Sequence, residues 1–235
     1  MTADEKQSIA DFLDIADDFL GSGYRSAQRN YQFSDDDETQ AQTEDSLDKI
    51  AAEIRACGNC QLGKTRTNAA AGEGAMQPLV LVIGEGPGAE EDAQGRPFVG
   101  RAGQLLDKML GAISLSRNVN CFIANVVKCR PPNNRDPHPE ETAACAHFLE
   151  RQIALLKPKF ILVVGSVAAR SLLNTTEPVG RLRGKFTVFT SGDMKIPLLV
   201  TYHPAALLRD DNLKRPAWEH LKLLRQKIDE LDGEN

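Results

Sequence analysis

The sequence predicts an α/β protein, built as a three-layer α/β/α sandwich around a central, mainly parallel sheet. Three observations carry this reading. Apolar segments of strand length recur along the chain as PLVLVIG, NCFIANVV and KFILVVG. Segments with helical spacing of apolar residues fall between them. The apolar runs are continuous rather than alternating, as expected of parallel strands covered on both faces.

Each element follows in order from about residue 46. LDKIAAEIRAC reads as a helix running into CGNC, and PLVLVIG (78–84) as a buried strand. GRAGQLLDKMLGAI (100–113) reads as a helix and NCFIANVV (120–127) as a second strand. HPEETAACAHFLERQIALL (138–156) is a helix whose first turn is acidic, which suits the positive end of the helix dipole. KFILVVG (159–165) is a third strand, followed by the short helix SVAARSLL. KFTVF and IPLLVTY are later strands, and RPAWEHLKLLRQKIDEL closes the chain as a helix with Pro216 in its first turn. Parallel sheets bind ligands beyond the carboxyl ends of their strands, so the loops after residues 84, 127 and 202 are expected to converge. No internal repeat is present.

Residues 46–235 are thus expected to form one domain, and residues 1–45 a separate acidic extension. In the extension, Ile9, Phe12, Leu13, Ile15, Ala16, Phe19 and Leu20 lie near helical spacing, predicting a short amphipathic helix over residues 7–20. A polar, acidic linker follows. The helix is expected to dock either on the body or on a protein partner. The net charge of −5 hides an asymmetry: residues 1–50 carry 13 acidic and 4 basic residues, leaving 20 acidic and 24 basic in the remainder. The mildly basic body permits a DNA partner, and the acidic head is expected to compete with DNA for it. No apolar run approaches the roughly 20 residues that span a bilayer. The N-terminus lacks the basic and apolar regions of a signal peptide. A cytoplasmic monomer without membrane contact is expected.

The stretch LVIGEGPGAEED (81–92) poses the functional question. Gly84, Gly86 and Ala89 fit the G-x-G-x-x-[GA] spacing of a dinucleotide-binding turn. Carboxylates at Glu85, Glu90, Glu91 and Asp92 would repel the pyrophosphate such a turn holds. Glu90 and Asp92 are expected to be solvated or to cap the following helix.

Of the five cysteines, Cys57 and Cys60 form a C-x-x-C at a helix end, Cys129 follows a strand and Cys145 lies on the next helix. The C-x-x-C precedes the first strand, which argues against a thioredoxin-type motif. Four thiolates suit a tetrahedral zinc site and an iron–sulfur cluster alike, and spacing leaves both open. Cys121 opens a strand and reads as a small buried apolar residue.

CGNCQLGKTRT, GEGPGAEEDAQGRPFVGRAGQLLD, NVVKCRPPNNRDP, the Cys145 helix and HPAALLR together resemble the family 4 uracil-DNA glycosylases. The resemblance runs from about residue 50 to 230 and implies the uracil-DNA glycosylase-like fold. It also implies hydrolysis of the N-glycosidic bond of deoxyuridine in DNA, and a [4Fe–4S] cluster on Cys57, Cys60, Cys129 and Cys145. In that family the cluster pins the N-terminal helix and a DNA-facing loop to the sheet.

By the same resemblance, Phe98 stacks on uracil, Asn125 reads its edge, and His203 donates to O2 of the departing base. Glu85 and Gly86 line the pocket, with Glu85 the anion beside the sugar and its attacking water. Glu91 contacts the base end of the pocket or orders its loop. Leu207 or Leu208 is a candidate wedge for the gap left by a flipped base. Lys128, Arg130, Arg135 and Arg209 are candidate phosphate contacts. A related branch attaches covalently to DNA through a His in an inserted loop; RPPNNRDPHPE has no such insertion, so ordinary hydrolysis is expected. The rival expectations are a non-catalytic iron–sulfur DNA-binding or polymerase-associated module of this fold, and a nucleotide-cofactor enzyme.

Overall fold

The computed structural model describes residues 45–233, together with Lys6, Gln7 and Ala10. The helix expected over residues 7–20 lies outside the described residues, save for Gln7 and Ala10, both helical.

The body opens with α1 (Leu47–Ala56), whose first turn is capped by the Ser46 hydroxyl accepting from the Lys49 amide, and α2 (Leu62–Thr65). A two-residue strand β1 (Glu73–Gly74) precedes β2 (Val80–Gly84), α3 (Ala89–Gln94) and α4 (Arg101–Gly111). Then come β3 (Cys121–Asn125), α5 (Pro139–Leu156), β4 (Phe160–Val164), α6 (Ser166–Leu173) and α7 (Val179–Leu182). The chain ends in the hairpin β5 (Phe186–Ser191) and β6 (Met194–Thr201), α8 (Pro204–Leu207) and α9 (Lys214–Gly233).

The six strands form one sheet in the order β1-β3-β2-β4-β6-β5. The inner strands β3, β2, β4 and β6 are parallel, and β1 and β5 close the two edges antiparallel. The mainly parallel sheet expected from the apolar runs is therefore present. The elements the sequence pattern did not announce, β1, α2, α3, α7 and α8, are too short to show a period.

Alternation along the inner strands sorts the core into two layers. Leu81, Ile83, Ala124, Ile161, Val163 and Val200 face α1, α5 and α6. Val80, Val82, Ile123, Leu162, Val164 and Leu199 face α4 and α9. Each of these side chains is fully buried or nearly so, and such burial contributes about 1.5–3 kcal/mol per large aliphatic residue. Helices on both faces make this the expected three-layer sandwich.

Register places the site. Gly84 at the end of β2 pairs with Asn125 at the end of β3, and Val164 of β4 pairs with Thr201 of β6. The carboxyl ends of all four parallel strands thus lie along one edge of the sheet.

Candidate active site

A cleft of about 480 Å³ opens along this edge, a size suited to a small-molecule ligand or one nucleoside. Its lining brings together Glu85 and Gly86 from the loop after β2, Glu91 of α3, Phe98 from the turn between α3 and α4, Asn125 at the end of β3 and His203 from the loop after β6. Arg209 also lines it.

Asn125 forms the floor. It is 1% exposed, and neither Oδ1 nor Nδ2 has a hydrogen-bond partner. An unpartnered buried amide is expensive, roughly 1–3 kcal/mol per lost bond, so its persistence points to a ligand that completes it. Gly84 makes the room: a Cβ there would lie 2.4 Å from Phe98 Cζ and 2.6 Å from Asn125 Oδ1.

Phe98 and His203 flank the floor, with ring centroids 5.6 Å apart and planes inclined by 32°. Phe98 has φ 52°, in the left-handed region that a bulky residue seldom adopts. His203 caps α8, its Nδ1 accepting from the Ala205 amide at 3.1 Å. That bond places the imidazole proton on Nε2 and leaves it free to donate. Burial, reinforced by the Arg209 charge, presses the imidazole down to about 4 despite the opposing charge of Glu91. The ring is neutral at neutral pH.

Glu85 is the cleft's perturbed carboxyl. Burial, then repulsion from Asp136, push it up to about 7, while Arg170 pulls the other way. Such a group changes charge near neutral pH, as general bases often do. Glu91 has a different position. Its Oε2 accepts from the Gly88 amide at 3.1 Å and its Oε1 from the Val99 and Gly100 amides, both at 2.9 Å. Its carboxylate is engaged in holding the glycine loop to the Phe98 turn. The Gly88 amide at the start of α3 is therefore filled from within, and the dinucleotide-like spacing offers no phosphate cradle there.

Several expected contacts are corrected. Leu207 is 2% exposed and packs into the body because it lies on the inward side of α8, so the wedge candidate narrows to Leu208, 41% exposed. Lys128 is buried, its ammonium donating to the Asn125 carbonyl at 2.8 Å and to Gln152 Oε1 at 2.7 Å. It supports the floor from beneath and reaches no phosphate. Asp92 is also buried, neither solvated nor capping: its Oδ1 accepts from the Thr67 and Asn68 amides. Glu90 is exposed, and so is Arg209; Arg130 donates to Asn134 Oδ1. Arg135 lines the cleft while forking onto both oxygens of Glu141.

Sequence reasoning missed Tyr202, Ser166, Asn134 and Asp136, which also line the cleft. Tyr202 adjoins His203 in the same strand-end loop, Asn134 and Asp136 lie in NVVKCRPPNNRDP after β3, and Ser166 follows the strand KFILVVG. The strand-end rule pointed to these segments but not to which of their side chains turn into the cleft.

On the α1/α5 side of the sheet, Cys57, Cys60, Cys129 and Cys145 line a second, separate pocket, and none is in a disulfide. Among the described residues, no group of three or more Cys, His, Asp or Glu side chains is drawn together closely enough to hold an ion. The four donors are nevertheless all sulfur, contributed by the end of α1, the loop after β3 and α5. Arg66 donates to Cys129 Sγ at 2.8 Å. Cys121 lies apart in the opposite core layer, its thiol pushed up to about 12 by burial.

The Uracil DNA glycosylase superfamily model matches residues 71–222 of the chain. The chain is similar to the type-4 uracil-DNA glycosylase of Pyrobaculum aerophilum, with 45% identity over 172 residues that cover 72% of this chain and 87% of that protein. The type-4 uracil-DNA glycosylase of Sulfurisphaera tokodaii is 41% identical over 186 residues, 77% of this chain and 84% of that one. That of Thermotoga maritima is 40% identical over 188 residues, 79% and 96% of the respective chains.

Proposed function

The chain belongs to the uracil-DNA glycosylase superfamily, in its type-4 branch, and on that premise we propose how its cleft takes uracil out of DNA. The substrate is a deoxyuridine turned out of the helix, because the N-glycosidic bond is out of reach in a stacked base. The uracil lies in the cleft against Phe98 with its edge on Asn125. The side-chain N–H of Asn125 donates to O4, and its Oδ1 accepts from N3–H. Cytosine presents the opposite pattern at both atoms and leaves the amide unmatched.

Bond breaking follows from charge. As the bond between C1′ and N1 opens, its electron pair goes to the base, and negative charge builds on uracil O2. The sugar becomes cationic. The neutral His203 donates its Nε2–H to O2, which stabilises the leaving anion without a proton having to be transferred. Glu85, ionised above about pH 7, faces the cationic sugar and takes a proton from the water that attacks C1′. The products are free uracil and an abasic site. Glu91 holds the loop, and the water is assigned to Glu85.

Leu208 and Arg209, both exposed, together with Arg130, are assigned to the DNA around the extruded nucleotide. Cys57, Cys60, Cys129 and Cys145 are assigned to a [4Fe–4S] cluster; their all-sulfur chemistry fits one, as four thiolates fit such a cluster generally. When bound, the cluster ties α1, the loop after β3 and α5 together and serves as a structural clamp. Four thiols of this kind suit a reducing compartment such as the cytoplasm.

The observation that carries this reading is the buried, unpartnered amide of Asn125 between Phe98 and His203. The experiment is release of uracil from a U-containing oligonucleotide by the purified protein, followed by strand cleavage at the abasic site. Release by the wild type, and its collapse in Asn125→Ala, is expected. The non-catalytic alternative is not favoured; it would require DNA binding with no base release. A brown preparation absorbing near 400 nm, about where iron–sulfur proteins absorb, separates a cluster from zinc.

A further inference from the structure

Arg117 stands outside the cleft lining, in the turn between α4 and β3, yet its side chain reaches the segment that carries Phe98. Its Nη1 donates to the Pro97 carbonyl at 3.0 Å and its Nη2 to the Phe98 carbonyl at 2.8 Å. Two carboxylates complete it: Nε donates to Asp107 at 2.9 Å, and Nη1 also meets Glu73 on the edge strand β1. Glu73 in turn binds Arg96, one residue before Pro97. The Arg117 side chain is 10% exposed.

The target of this grip is strained. Phe98 holds a left-handed φ with a large aromatic side chain, a conformation that persists only where the surroundings over-determine it. Arg117 takes the two carbonyls at residues 97 and 98, and Glu91 takes the two amides at residues 99 and 100. A Cβ on Gly103 of α4 would come within 1.9 Å of the Phe98 carbonyl oxygen, so α4 closes on the same peptide from a third side.

We propose that Arg117 is a positioning residue for uracil excision, fixing the Phe98 peptide so that its ring is held opposite His203 as the stacking wall. This rests on the reading of Phe98 as that wall. The planar fork matches two successive carbonyls, a geometry that a lysine's single ammonium does not reproduce. Glu73 and Asp107 balance its charge, which sets it apart from a phosphate contact. The β1 edge strand acquires a role by the same logic: it delivers Glu73 to the guanidinium.

A double-mutant cycle tests this. Arg117→Gln is expected to lower kcat/KM for uracil release on the order of 10- to 100-fold, as small misplacements of a substrate-positioning group do. Arg117→Lys recovers only a small part. In a Phe98→Gly background, where the ring is gone, the further effect of Arg117→Gln falls below about twofold. The same factor in both backgrounds overturns the proposal. Glu73→Gln loosens the guanidinium without removing it, and its smaller loss is also expected to vanish with Phe98→Gly; this arm decides if Arg117→Gln does not fold. Amide exchange supplies a readout independent of activity: exchange at residues 98–100 quickens in Arg117→Gln, with the sheet unchanged. Unchanged exchange there refutes the grip. Wild-type protein that released no uracil would instead sink the glycosylase reading, and the exchange arm would still decide whether Arg117 holds the turn.

Discussion

His203 Nδ1 accepts a hydrogen bond from the backbone amide of Ala205, 3.1 Å away. This contact decides the chemistry of the ring. A nitrogen that accepts an amide hydrogen carries none of its own, so the donor is Nε2 and the ring is neutral. With burial pressing its ionisation down to about 4, the ring offers a hydrogen bond to uracil O2 across the whole neutral range. His203→Ala is expected to slow single-turnover uracil release on the order of 10²–10³-fold, the scale of losing one oxyanion donor. The wild type should show no loss of activity on raising the pH from 5.5 to 7.5; a loss there would mean that a charged imidazole is the active form.

Glu85 governs the other limb. Its carboxyl, raised to about 7, is ionised only above that pH, so kcat/KM should climb through neutrality and level off near pH 8. Glu85→Gln should flatten this climb and reduce activity. Stability runs the other way. A carboxyl whose folded pKa lies above its unfolded value contributes stability below the unfolded value, and that contribution is lost as pH rises through the folded one. Glu85→Gln is therefore expected to raise Tm at pH 8 relative to wild type and to leave it nearly unchanged at pH 4. A rise of equal size at both pH values would exclude charge burial as the cause.

Gly84 is a steric requirement. Its Cβ would strike both Phe98 and Asn125, and the register that pairs Gly84 with Asn125 leaves neither free to retreat. Gly84→Ala should abolish detectable release while destabilising the fold by about 1–3 kcal/mol, the usual penalty of overpacking. Urea denaturation and the release assay, run on one preparation, separate the two effects.

Lys128 is expected to matter for stability and for the Asn125 floor. Lys128→Met retains the length of the stem but leaves the Asn125 carbonyl and Gln152 Oε1 without the ammonium they share. A loss of about 1–3 kcal/mol follows from the unpaired buried acceptors. If Lys128 instead served DNA phosphates, the variant would change the salt dependence of binding and leave urea stability untouched.

Much of this molecule was legible before folding. The apolar runs marked the parallel strands because strands buried on both faces have no polar alternation to disguise them. The carboxyl ends of those runs located the cleft, with Asn125 and His203 at or just beyond two of them. The roles of Phe98, Asn125 and His203 came from the family resemblance, and Phe98 lies beyond α3, away from any strand end. The roles of single charged residues were much less legible. Lys128 sits in a basic stretch, KCR, that reads as surface, and Leu207 and Leu208 are adjacent and chemically equal. Arg117 lies in a turn with no motif at all.

Sequence alone determined the order of the longer elements and the strand-end loops available for a site, since these depend on local pattern and on residue type. Tertiary structure decided which end residues meet. Strands that are apolar on both faces do not specify their own register, so the pairing of Gly84 with Asn125 had to come from the packing of helices and loops around them. The same packing turned Leu207 inward, buried Lys128 beneath the floor and set Arg117 against the carbonyls of Pro97 and Phe98. Burial and long-range hydrogen bonds arise between segments distant in the chain, and no local pattern encodes them.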